Sequence, residues 1–270
     1  MGEVSRQKRV NWGFLGQLAI AGLALAGVVG IQKTQLERPI VEAADFIQAE
    51  QQEALRLNLL KQTPTFGFDN LVADWTFLNF LQYYGDNPAR EQTGYSLSPA
   101  YFDLITRHDP RFVGIYLFLS GSVSYQVGQP EVAVRLMDRG TAVLSPEIDP
   151  NAYLIWRFKG LDQLLLLGDI PGSIASHEMA ARWAFGTPNE NLVPLFQQTA
   201  NFLRRDPNSL PVRFQAWTSI YSQAEAVGDK KTQERAKREI LALGGKAENK
   251  NGQIEFSLPA PTPRPSTSPK

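Results

Sequence analysis

The chain contains no cysteine and only two histidines among its 270 residues. That excludes disulfides, thiolate nucleophiles and cysteine-held metals, and it removes the acceptor that a lipoprotein anchor needs. His108 and His177 each stand without a second His at ligand spacing, so neither marks a metal site. His177 and Glu178 are neighbours on one helix and point in different directions, which argues against joint acid–base work. An excess of charge is missing too: 27 Lys and Arg balance 27 Asp and Glu. No global basic field is left to attract nucleic acid. Neither common Gly-rich phosphate loop occurs, and the Gly-x-Ser-x-Gly arrangement of hydrolases is absent. No catalytic residue, cofactor or metal ligand is therefore assigned, and the chain reads as a non-enzyme.

What is present starts near the N-terminus. After a tail at residues 1–10, Asn11 to Ile31 is a charge-free, largely apolar stretch of 21 residues. As a helix it would measure roughly 31 Å, close to the hydrocarbon thickness of a bilayer. Arg6, Lys8 and Arg9 precede it, against Lys33 and Arg38 just after. The positive-inside bias then predicts a cytoplasmic N-terminus, with the rest of the chain across the membrane. Ala24-Leu25-Ala26 also fits a signal-peptide cleavage pattern, so an uncleaved single-pass anchor has a rival. Gly22, Ala26 and Gly30 lie four apart within the stretch, a spacing that permits close helix packing.

Residues 32–65 predict a linking helix, with Pro39 in its first turn and a break at Gln62 to Gly67. Residues 66–243 predict a helical domain. Its first helix, with Asp69 as N-cap and Gly85 at its end, is apolar nearly all round, which predicts burial between neighbours. A polar loop at Asn87 to Tyr95 follows, and Ser98-Pro99 starts a helix running to about Arg107.

Beyond it a punctuation recurs: Asp109-Pro110 with Gly128, Asp149-Pro150 with Gly168, and Asp206-Pro207 with Gly228. Asp can cap the free N–H groups of a helix start, Pro suits the first helical position, and Gly ends a helix in the left-handed conformation. Each unit predicts a helical hairpin. The first two units are about forty residues apart and the last two about sixty, so an extra helix near Asn191 to Arg204 intervenes. Residues 244–270 have no apolar stripe, and the last fourteen of them hold five prolines, which predicts a disordered tail.

The first unit resembles a tetratricopeptide repeat. Leu117, Gly121, Ala133, Gly140 and Pro146 fall near that family's aromatic/Leu, Gly, Ala, Ala and Pro positions. The later units are degenerate, with Leu161 and Ser173, then Gln233 and Ile240, at the corresponding places. The segment FDNLVADWTFLNFLQYYGD with its following Asp-Pro-Arg-Phe also resembles single-pass bacterial and cyanobacterial proteins of this kind. The resemblance implies an all-α, tetratricopeptide-like α-solenoid preceded by one transmembrane helix. It further implies a binder of protein partners in the assembly or quality control of a membrane complex, with the domain in the periplasm or thylakoid lumen. A structural subunit of an envelope machine, or an enzyme with a pocket near residues 87–100, are the alternatives.

Asp74 stands out as a charge within the most apolar helix, and it requires a partner such as Arg107 or Arg111 if buried. Tyr83, Tyr84 and Tyr116 join apolar area to a polar tip, as recognition surfaces favour. Asp74, Tyr83, Tyr84, Arg107, Arg111 and Tyr116 are the candidate partner-binding residues.

Overall fold

In the computed structural model, residues 43–250 and 253–259 are described. The expected tail at 1–10, the span at 11–31 and the Pro-rich end lie outside them. Among the described residues no helix is long and apolar enough to cross a membrane. The linking helix is α1 (Ala43–Gln62). Two left-handed residues, Phe66 at φ 51° and Gly67 at φ 89°, turn the chain into α2 (Asp69–Gly85). Asp69 does not cap α2. Phe68 holds the N-cap position without a side-chain bond, while Asp69 accepts from the Thr65 hydroxyl at 2.9 Å.

Residues expected to form a polar loop instead make α3 (Asn87–Thr93), before α4 (Ser98–His108). The reason is local: Asp86 accepts from Ala89 N–H at 3.3 Å and Pro88 lies in the first turn. The first hairpin is α5 (Ile115–Leu119), prolonged by a π-helical turn at Ser120–Gln126, then α6 (Pro130–Thr141). The second is α7 (Tyr153–Asp162), a π turn at Gln163–Leu167, then α8 (Ile170–Ala184). The inserted helix is α9 (Val193–Arg205), and α10 (Leu210–Ala226) with α11 (Lys230–Ala242) forms the third hairpin.

The three glycines are left-handed as expected, Gly128, Gly168 and Gly228 having φ between 64° and 69°. The Asp-Pro pairs act differently from expectation. Asp109, Asp149 and Asp206 each accept from the backbone N–H two residues on, at 2.9, 2.7 and 3.2 Å, and the helix starts several residues later. A residue before proline is held out of the helical region, so such an Asp makes a turn. The true caps are the acids that follow a glycine. Asp169 accepts from Gly172 N–H at 2.9 Å and Asp229 from Thr232 N–H at 3.1 Å.

The larger core joins α2, α4, α5, α6 and α7, with Leu57 of α1. At its centre Phe80 meets Phe102 and Tyr101 edge-on, with ring centroids 4.6 and 5.6 Å away. Close approach depends on small residues. A β-carbon at Gly140 would overlap the Tyr116 hydroxyl, and one at Gly160 would stand 2.8 Å from the His177 ring.

The third hairpin packs across the π turns of both earlier hairpins. Trp217 Nε1 donates to the Leu166 carbonyl at 3.1 Å, and the Thr232 hydroxyl donates to the Val127 carbonyl at 3.3 Å. A two-stranded sheet ends the described chain, β1 (Lys246–Lys250) antiparallel to β2 (Gln253–Ser257). It replaces part of the disordered tail expected at 244–270. Phe256 lays its ring edge-on to Tyr221, with centroids 4.7 Å apart, and that burial holds the strands.

Gly160→Ala tests the close contact of α7 with α8. Overpacking against His177 and Ser176 costs about 1–3 kcal/mol, so calorimetry should find a Tm several degrees lower. The exposed control Gly85→Ala, whose β-carbon meets nothing, should leave Tm almost unchanged.

Candidate functional site

The six candidate residues do not share one groove. Tyr116 is fully buried and donates its hydroxyl to the Pro110 carbonyl at 2.7 Å. Burial pushes its pKa up, and it serves the core rather than a surface. Asp74 is exposed, so the charge needs no internal partner. Arg107 reaches Asp103 at 3.5 Å, and Arg111 is exposed, its N–H given to Asp109. Tyr84 is half-buried between Phe80 and Tyr95.

Only Tyr83 enters a cavity, a cleft of about 260 Å³ among α1, α2, α3 and α4. The Arg90 guanidinium lies over the Tyr83 ring, 3.7 Å from its centroid, and donates to the Gly94 carbonyl at 2.5 Å. Arg90 is buried, and the Glu50 carboxylate stands 3.7 Å from it, too far for a hydrogen bond. Arg90 Nε and Glu50 Oε2 are buried without a hydrogen-bond partner. Opposite them Glu53 accepts from the Tyr101 hydroxyl and from Arg56 at 2.6 and 2.8 Å. Burial raises both tyrosine hydroxyls, so they remain protonated donors at neutral pH.

Both histidines are held by hydrogen bonds within the fold. His108 Nδ1 meets Asp69 Oδ1 at 2.8 Å, and this bond, with the one from Thr65, holds the Asp69 carboxyl below the usual range. His177 donates from Nδ1 to the Ser173 carbonyl at 2.8 Å, and burial lowers its pKa, keeping it neutral. Asp103 ties three helices together, with Lys61 at 2.7 Å and Arg139 at 2.8 Å. Burial pulls its carboxyl upward, but those cations hold it low. Among the described residues no cluster of acids and histidines could hold a metal ion.

Sequence reading missed a buried carboxyl whose pKa is strongly raised. Asp162 is fully buried on α7 and accepts from Ser120 Oγ at 2.8 Å and Ser124 Oγ at 2.5 Å. Burial raises its pKa to about 7 against the pull of the two hydroxyls. Ser120 and Ser124, four residues apart on a face otherwise apolar, were its mark in the sequence.

The other departure concerns α2, which is buried on one side only. Ala73, Thr76, Phe80 and Tyr83 face the core. On the opposite side Leu71, Trp75 and Leu78 are 64%, 59% and 55% exposed, and the preceding turn adds Phe68 at 64% and Phe66 at 85%. They form a continuous sequence of large apolar side chains that nothing among the described residues covers. Large contiguous apolar patches are uncommon on folded monomeric domains. Comparison with family models, curated proteins and solved structures gives no match for this chain.

The Asp162 carboxyl has a signed consequence. Its folded pKa, about 7, lies above the value of 3.8 for an exposed carboxyl. The folded form holds an extra proton between those limits, so stability is greatest below the lower one and declines as pH rises to about 7. The slope is at most about 1.4 kcal/mol per pH unit. Asp162→Asn, which keeps an acceptor for one serine, should flatten this part of the Tm–pH curve between pH 4 and 8. At pH 8 it should melt above the wild type.

Proposed function

We infer that this chain is a membrane-anchored helical scaffold, tetratricopeptide-like in its hairpins, that binds protein partners during assembly or quality control of a membrane complex. The observation that carries the reading is the bare side of α2. Leu71, Trp75 and Leu78 are spaced four and three apart, the pattern of a helix–helix seam. A rigid helix presents such a seam without an ordering cost, so a partner helix can dock on it directly. The apolar stretch at 11–31 supports the anchor, and tethering raises the local concentration of the seam near membrane subunits. The charge bias around that stretch supports a cytoplasmic N-terminus, with the helical domain in the periplasm or thylakoid lumen.

A second reading, small-ligand binding, is favoured by the cleft with its unpartnered Arg90 Nε and Glu50 Oε2. One neutral group able to accept from the first and donate to the second would satisfy both.

Crosslinked capture from native membranes separates the readings. Trp75→Glu with Leu78→Glu should abolish the set of proteins captured by wild type, while Arg111→Ala, remote from the seam, should retain it. An unchanged set in the seam variant refutes the scaffold reading. A thermal shift with a metabolite, lost in Glu50→Gln, supports the cleft instead.

A further inference from the structure

We propose that a second cavity, set against α11, binds a small hydroxylated phosphate. It measures about 230 Å³. Three segments far apart in the chain meet there: the connection from α3 to α4, the turn of the first hairpin, and one face of α11. It shares no residue with the cleft among α1 to α4 or with the bare face of α2, so the inference goes beyond both readings above.

Charge identifies the first half of the ligand. The chain as a whole balances its charges, yet three cations line this cavity, Lys231, Arg235 and Arg238, against one acid, Asp229. Their spacing of four and three sets the cations on one face of α11. Arg235 is held in place. Its guanidinium meets the two oxygens of Glu131 at 2.6 and 2.8 Å and lies 5.8 Å from the centre of the Trp217 ring. Its Nε–H is buried without a hydrogen-bond partner. A donor left unmatched in this way is costly, and an oxyanion set against α11 would match it. Lys231 and Arg238, one turn to either side, form no ion pair among the described residues. A phosphate monoester presents three terminal oxygens, one for each cation, where a carboxylate presents two.

Hydrogen bonding identifies the second half. The Thr93 hydroxyl donates to the Ala89 carbonyl at 3.1 Å and the Ser96 hydroxyl to Glu50 at 2.5 Å, so toward the cavity both can only accept. Asp229 accepts from the N–H and the hydroxyl of Thr232, and as a carboxylate it has no proton to give. It lies against the residue after Thr93: a β-carbon at Gly94 would stand 3.3 Å from Asp229 Oδ2. A bare phosphate would therefore bring acceptors to a wall of acceptors. A ligand that also carries hydroxyl groups donates to this wall while its phosphate takes the cations. The volume lies below the roughly 300–1,000 Å³ of sites for drug-sized ligands, which limits the hydroxylated body to a few carbons. Glycerol 3-phosphate meets these conditions.

The full chain in detergent micelles is titrated calorimetrically with three probes. They are glycerol 3-phosphate, inorganic phosphate, and glycerophosphoglycerol, the water-soluble diester headgroup of phosphatidylglycerol. Glycerol 3-phosphate should bind most tightly of the three, weaken as salt rises, and raise Tm. Lys231→Glu with Arg238→Glu, both at exposed positions, should raise its dissociation constant at least about tenfold and leave the circular dichroism unchanged. Lys230→Glu with Lys237→Glu makes the same change of charge outside the cavity lining and should leave the constant within about twofold. Thr93→Val with Ser96→Ala should bring glycerol 3-phosphate down to the affinity of inorganic phosphate.

No binding of glycerol 3-phosphate, or binding unchanged in the Lys231 and Arg238 variant, overturns the site. Inorganic phosphate binding as tightly overturns the hydroxylated class. Tighter binding of glycerophosphoglycerol overturns the free monoester and makes a lipid headgroup the ligand. Each of these outcomes leaves capture of protein partners through the α2 seam to its own test.

Discussion

The way the two central hairpins meet depends on one buried carboxyl. Asp162 sits where α7 crosses the π turn of the first hairpin, and it takes a hydrogen bond from each of two serines one turn apart. Its two oxygens fix both the distance and the rotation between the hairpins, which apolar contacts alone would leave slack. The π turns add to this. The first two hairpins close with Gln129 N–H to Val123 O and Asp169 N–H to Gln163 O, one residue wider than the Asp229 to Ala224 closure of the third. Beside these wide turns, the carbonyls of Val127 and Leu166 receive Thr232 and Trp217. The position of the third hairpin thus follows from the ends of the first two.

The N-terminal region follows a different logic. Leu57 is the one fully buried side chain of α1 among the described residues. Leu60 packs partly buried beside it, and polar attachments add to them: Glu50 with Ser96, Glu53 with Tyr101, and Lys61 with Asp103. Such contacts hold a helix in a defined register while contributing little net stability where they are half exposed. The same region carries the cleft with its two unmatched polar atoms and the bare face of α2. The cleft and the bare face of α2 thus both belong to α1 to α4, ahead of the three hairpins.

Helix content, the hairpin glycines and the inserted helix were legible from spacing alone, because periodicity and left-handed turns are local properties. Of the two glycines at repeat positions, Gly140 marks a close approach, to Tyr116, whereas a β-carbon at Gly121 would meet nothing within 4 Å. The capping acids were misread because Asp-Pro and Gly-Asp are both plausible helix starts, and only the conformation before proline distinguishes them. The all-round apolar character of α2 suggested burial, since sequence shows hydrophobicity but not whether a neighbour is supplied. The sheet was hidden in a polar segment. Asn251-Gly252, a hairpin dipeptide, and the alternation of Ile254 with Phe256 were its only marks. Asp162 was marked only by the spacing of Ser120 and Ser124, and the cleft left no mark, as it depends on groups brought together from distant parts of the chain.

The bond between Thr232 and Val127 spans 105 residues. The ion pair between Arg235 and Glu131 spans nearly as many. The turn at Gly128 therefore stays uncovered throughout synthesis of the second hairpin and α9, until α11 has left the ribosome. Contacts of such long range close late and slow the final step of folding. During that interval the half-made chain exposes the apolar seats of Trp217 and Ile220. A chain ended anywhere between α9 and α11 keeps its first two hairpins but leaves those seats open, so completeness of the C-terminus decides whether the product is soluble or sticky.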